Sequence, residues 1–238
     1  MVVELPQKFL SWNYFGRRES AKAFVEGKYS RDINLFFLES TRHNPALCTA
    51  LQKPDGSVFI NAKIVGVGYV LKRKNLAEVI KAFHQHLEFG NKLFSTAKTA
   101  REKKEATEKY QRNGMRTLLE HLYLEPEEAK RRIDFTKIST IELAKNKPHS
   151  SKHTWKIVQK SRAACLLFYR PPNLSYELRG WLDIHESGLY YEFVNAVHDV
   201  FHYVPPEKRQ TERPVYIFNV EEVYDNSPIP NAYGTKIA

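Results

Sequence analysis

The chain has 238 residues, 42% of them hydrophobic and 13% aromatic, which is enough to bury one substantial core. It has no apolar run of the ~18 residues that cross a bilayer and no cleavable signal pattern in MVVELPQKFLSWNYFG, so a soluble, cytoplasmic protein with no membrane partner is expected. There are two cysteines and no CxxC, which argues against a zinc knuckle or a disulfide scaffold. Cys48 and Cys165 lie in apolar strand segments and read as buried hydrophobes.

The net charge of +10 could signal nucleic acid, but it is regional. The excess gathers in residues 72–74, 98–116 and 130–132, where Glu102, Glu105 and Glu108 interleave with lysines as on a solvated helix face. No RNA-recognition signature or Cys/His module accompanies it, so nucleic acid is not the expected partner. A cationic surface would still speed encounters with anionic small molecules.

In chain order, Asp32 to Thr41 reads as a helix. Ala46 to Lys53 alternates as a strand, Pro54-Asp55-Gly56 supplies a turn, and Ser57 to Leu71 is a long β-branched run, giving a β-hairpin. Period-2 geometry puts Phe59, Asn61, Lys63 and Val65 on one face of the second strand, and Val58, Ile60, Ala62 and Ile64 on the other. The apolar set is assigned to the core and the polar pair faces away from it. Gly66 and Gly68 mark a bend or bulge. Asn75 then caps LAEVIKAFHQHLEF, a second charged helix follows, then Arg116 to Leu124, and Glu125-Pro126 opens a short helix with acids ahead of bases. Phe135 to Lys145 reads as a strand.

Residues 148 to 158 concentrate chemistry. They read as a helix start carrying Ser150, Ser151, Lys152 and His153, with Lys156 behind. A helix N-terminus already has unpaired N–H groups and partial positive charge, so cations there are unfavourable unless an anion sits on them. The implied ligand is a phosphate. The alternative is an ordinary serine N-cap with solvated lysines. Strands follow at Cys165 to Arg170, Tyr176 to Glu186 and, after one more helix, Pro214 to Tyr224. That helix holds His198-Asp199-Val200-Phe201-His202, two imidazoles at i and i+4 beside a carboxylate, which resembles a zinc-hydrolase helix with Asp in place of Glu. No third ligand can be nominated, so no metal is assigned. His43 and the remaining histidines show no ligand or triad spacing.

The order of four blocks, LCTALQKPDGSVFINAK, SSKHTWKIVQKSRAACLLFY, LSYELRGWLDI and VYIFNVEEVYDNSP, resembles the FMN-binding split barrel family of pyridoxamine 5′-phosphate oxidase-like flavoproteins. The resemblance implies a mainly β, α+β split β-barrel, read here as one domain over residues 1–238; the charged helical segment at 72–134 departs from the family pattern and reads as an insertion that decorates the barrel. The resemblance also implies a homodimer whose two subunits share each flavin, with a small-molecule substrate and electron donor. Carried over position by position, Ser150, Ser151, Lys152 and His153 would hold the FMN phosphate, and Asn61 and Lys63 would be polar flavin contacts. The reading is an FMN-dependent oxidoreductase with its substrate unassigned. Alternatives are a non-catalytic flavin or nucleotide-binding module with a basic surface and, third, a metal hydrolase using the HDVFH helix.

Overall fold

Among the described residues, β-branched and aromatic runs supply eight strands, and every pairing between these is antiparallel. The computed structural model describes residues 1–28, 32–143, 152–209 and 213–238. The strands are β1 (Ala46–Gln52), β2 (Val58–Ile64), β3 (Val67–Leu71), β4 (Ile133–Ile141), β5 (Ala163–Arg170), β6 (Leu174–His185), β7 (Val215–Asp225) and β8 (Thr235–Lys236). Their spatial order is β2-β1-β5-β6-β7-β4-β3, with β8 added on β7. β2 and β3 stand at opposite ends of that order, yet only Val65 and Gly66 separate them in sequence. Consecutive Cα atoms are ~3.8 Å apart, so the two ends of the sheet come within about 11 Å at this corner. The sheet therefore curls into a barrel, split where β2 and β3 do not pair. The run read as one strand from Ser57 to Leu71 is two strands, and Gly66 lies at the break.

The helices are α1 (Gln7–Leu10), continued through a π-turn at Ser11–Phe15 into α2 (Gly16–Val25), then α3 (Ile33–Ser40), α4 (Leu76–Thr96), α5 (Ala100–His121), α6 (Pro126–Arg132), α7 (His153–Val158) and α8 (Gly188–Phe201). α5 is one continuous helix, not two. Thr99 and Glu102 close a capping box at its start, satisfying N–H groups that a helix end leaves unpaired. Asn75 precedes α4 without capping it by its side chain, which donates to the Arg132 carbonyl instead.

One hydrophobic cluster joins barrel residues such as Leu166, Phe168, Leu178 and Phe218 to Phe9 of α1, Val79 and Phe83 of α4 and Leu118 of α5. The helices of 72–134 thus contribute to the same core as the strands. α5 and α8 approach closely at Gly114, where a Cβ would lie 2.1 Å from the Val200 carbonyl oxygen.

The faces of β2 are the reverse of the sequence expectation. Val58, Ile60 and Ile64 are 57%, 69% and 69% exposed, whereas Phe59, Asn61 and Lys63 are half-buried and Val65 is buried. The period-2 pattern was legible, but alternation alone does not say which face meets a partner, and α7 covers the polar one. Leu167 and Tyr169 on β5 are also exposed. The strand register sets Cys48 opposite both Ala62 and Cys165, and Ala46 opposite both Ile64 and Leu167, so an apolar surface crosses β2, β1 and β5. Cys48 and Cys165 are partly buried free thiols on that surface instead of core residues. Burial and the nearby Glu177 carboxylate push the Cys165 thiol up to about 12.

Candidate functional site

Two strands and a short helix assemble the first site. On β1, Thr49 stands opposite Asn61 of β2. Asn61 Nδ2 donates to the hydroxyl of Thr154 at 2.8 Å, across 93 residues of sequence. Two residues along β2, Lys63 Nζ pairs at 2.8 Å with Glu142, just beyond β4, whose buried carboxylate also accepts from the Tyr216 hydroxyl at 3.0 Å. The His153 ring meets the Phe59 ring edge-on at 5.5 Å, and Trp155 stacks on Tyr216 with centroids 6.4 Å apart. The structure therefore brings together four of the expected site residues, Asn61, Lys63, Lys152 and His153. Ser150 and Ser151 lie outside the described residues. The helix begins at His153, one or two residues later than a serine N-cap would place it, with Lys152 at the N-cap position.

Two features suit this site to a polar ligand. Lys152 adopts a left-handed backbone, φ 53°, a conformation that costs a non-glycine residue roughly 1–2 kcal/mol. Such outliers cluster at binding sites. The buried Thr49 hydroxyl has no hydrogen-bond partner among the described residues, and an orphaned buried hydroxyl is costly unless something satisfies it. Thr49, Asn61, Lys152, His153 and Thr154 fit the polar part of a phosphorylated cofactor. Lys63 is already engaged by Glu142, so it would share its charge with a buried carboxylate. Thr49 was missed from sequence, although its register partner Asn61 could have pointed to it.

A second concavity of about 420 Å³ is lined by residues of β3 and β4 and of helices α2, α3, α5 and α8, and by none of β2 or α7. Arg17, His43, His198 and His202 line it. His43 faces this space, which leaves it solvent-accessible although protein packs densely around it. That packing, with the positive charge of Arg17 and the neighbouring His202, pushes its imidazole down to about 3, so His43 is neutral at physiological pH. Burial and His198 also lower His202.

The HDVFH pair does meet on this wall, with ring centroids 4.9 Å apart. Asp199, the residue that a hydrolase would need as base, is instead held by Arg213 in two 2.8 Å hydrogen bonds, and His198 Nδ1 lies 2.8 Å from the same carboxylate. Burial raises the Asp199 carboxyl, but the His198 and Arg213 hydrogen bonds outweigh it and hold it below the usual range. Among the described residues no group of three or more His, Cys, Asp or Glu side chains could hold a metal ion. None of the described helices is long and apolar enough to cross a membrane.

Similar solved structures include a Listeria innocua protein provisionally named a pyridoxamine 5′-phosphate oxidase, with 13% identity and a TM-score of 0.39 over 82% of this chain and 95% of that one. HupZ from group A Streptococcus has 12% identity and a TM-score of 0.36, over 81% and 90%. An F420 reductase has 11% and 0.34, over 76% and 88%. The fold is an α+β split barrel. No protein-family model and no curated protein matches the sequence.

Proposed function

We propose that this chain is an FMN-dependent oxidoreductase that binds the flavin without covalent attachment at the β2–α7 site. The observation that carries the reading is the hydrogen bond from Asn61 to Thr154, which draws polar residues of β2 onto the start of α7 beside Lys152 and the orphaned Thr49 hydroxyl. Lys152 and His153 would take the phosphate, Thr49 and Asn61 would hydrogen-bond polar atoms of the cofactor, and Phe59 and Trp155 are aromatic neighbours of the site. The flavin ring supplies the electron or hydride transfer itself, so the protein's part is to hold, orient and tune it. A small-molecule substrate and electron donor, and a cytoplasmic setting, go with this reading.

The test separates phosphate from ring. Lys152→Asn removes the charge while keeping a residue that tolerates positive φ. A hydrogen bond to a charged group contributes roughly 1.5–3 kcal/mol, about ten- to a hundredfold in affinity. FMN should weaken by that factor, and riboflavin, which lacks the phosphate, should bind as to wild type. Equal losses for both ligands, or wild-type protein that retains no FMN on desalting, would sink the proposal.

The homodimer belongs to the same reading. Single exposed apolar residues need no explanation, but Val58, Ile60, Ile64, Leu167 and Tyr169 share one sheet surface that ends at β2, an edge strand among the described residues. A second copy would cover it. Ile60→Lys should halve the sedimenting mass while leaving the fold intact; wild type that is monomeric in sedimentation would remove this partner.

A further inference from the structure

The cavity at β3–β4 belongs to neither the β2–α7 site nor the apolar sheet surface. Glu142 is engaged by Lys63 and Tyr216, and no residue of β2 or α7 lines the cavity. At about 420 Å³ it is in the range of small-molecule sites, roughly 300–1,000 Å³. Most of its wall is apolar, built from Phe24, Met115, Leu118, Val194, Val197 and Phe201.

Its polar end is cationic. Arg17 Nη1 donates to the Val67 carbonyl at 3.1 Å and Nη2 to the Tyr123 hydroxyl, and the guanidinium lies 5.7 and 5.2 Å from the Tyr69 and Tyr123 ring centroids. These partners are neutral. Of the five N–H donors of an arginine, they use two. The carboxylate on the same wall, Glu39, is paired with Arg42 and accepts from Ser20. Among the described residues Arg17 therefore has no anionic partner, although it is half-buried beside an apolar wall where a charge is less well solvated than in open water.

We propose that this cavity binds an apolar monocarboxylic acid, with its carboxylate on Arg17 and its body along Met115, Leu118, Val197 and Phe201. The imidazoles of His43 and His202 stand beside the anion end, where a neutral ring can donate or accept a hydrogen bond without adding charge. A free inorganic anion would leave the apolar wall uncovered. An uncharged apolar molecule would leave the guanidinium unpaired.

The test uses decanoate with two dyes, the anion 8-anilinonaphthalene-1-sulfonate and the uncharged N-phenyl-1-naphthylamine, titrated with the full chain. One sulfonate dye per chain should bind and be displaced by decanoate but not by decanol at the same concentration. Arg17→Gln should weaken the sulfonate dye and decanoate about tenfold or more, leave the uncharged dye within about twofold, and be partly rescued by Arg17→Lys. Val197→Trp, which fills the chamber, should abolish both dyes. If Arg17→Gln does not fold, added salt decides on wild type: it should weaken the sulfonate dye and spare the uncharged one. No binding of decanoate, unchanged dye affinity in Val197→Trp, equal losses of both dyes in Arg17→Gln, or one-for-one displacement of the dye by FMN would each overturn the proposal.

Discussion

Removing residues 95–130 and rejoining the ends is expected to abolish cooperative folding. The charged surface of α5 suggests a dispensable helical decoration, but the segment buries Tyr110, Leu118, Leu122, Tyr123 and Leu124. Burying a large apolar side chain contributes roughly 1.5–3 kcal/mol, so these five supply on the order of 7–15 kcal/mol. A domain of this size is stable by only about 5–15 kcal/mol. The excision also takes away both partners of the buried Tyr14 hydroxyl, which donates to the Leu122 carbonyl and accepts from the Leu124 N–H. It uncovers as well the faces of α4 and α8 that α5 covers. The truncated chain should show no sharp thermal transition by circular dichroism. A truncated monomer with a cooperative melt and dispersed amide resonances would show that the barrel folds without these helices.

Where each segment's pattern was local, the sequence was legible. The Pro54-Asp55-Gly56 turn between two alternating runs placed the β1–β2 hairpin, and β5, β6 and β7 fell within a few residues of their expected bounds. Long-range choices were not legible. Whether β2 turns Val58 and Ile60 inward depends on where α7 docks, and nothing within β2 records that. The split of Ser57–Leu71 was marked only by Gly66, which equally suits a bulge. Lys152 could be nominated from a serine-rich, basic helix start that invites an anion, and Asn61 and Lys63 from the family resemblance, supported by the strand face they share. Arg17 could not: it sits in α2, whose start is a continuation of α1 through a π-turn without a capping signal, and its neutral partners come from β3 and from the segment just after α5. Its significance exists only in the assembled cavity.

Asp199→Ala is expected to be the most destabilising single substitution outside the hydrophobic core. Its carboxylate and the Arg213 guanidinium are both buried, with side-chain exposures of 6% and 7%, and they meet in a two-bond 2.8 Å pair. Breaking a buried pair from one side strands the other charge and costs about 3–5 kcal/mol, whereas removing both charges together is often near neutral. Asp199→Ala should therefore lower the urea midpoint sharply, and Arg213→Met added to it should recover most of the loss. The pH dependence has a definite sign. The native Asp199 carboxyl is held below its unfolded value of about 3.8, so the pair's contribution is complete above that pH and is lost as pH falls through the lower native value. Wild type should lose this increment in acid, and the double variant should not. If Asp199→Ala unfolds at the wild-type urea concentration, or the double variant is no better than the single one, the pair is not what anchors α8 against the start of β7.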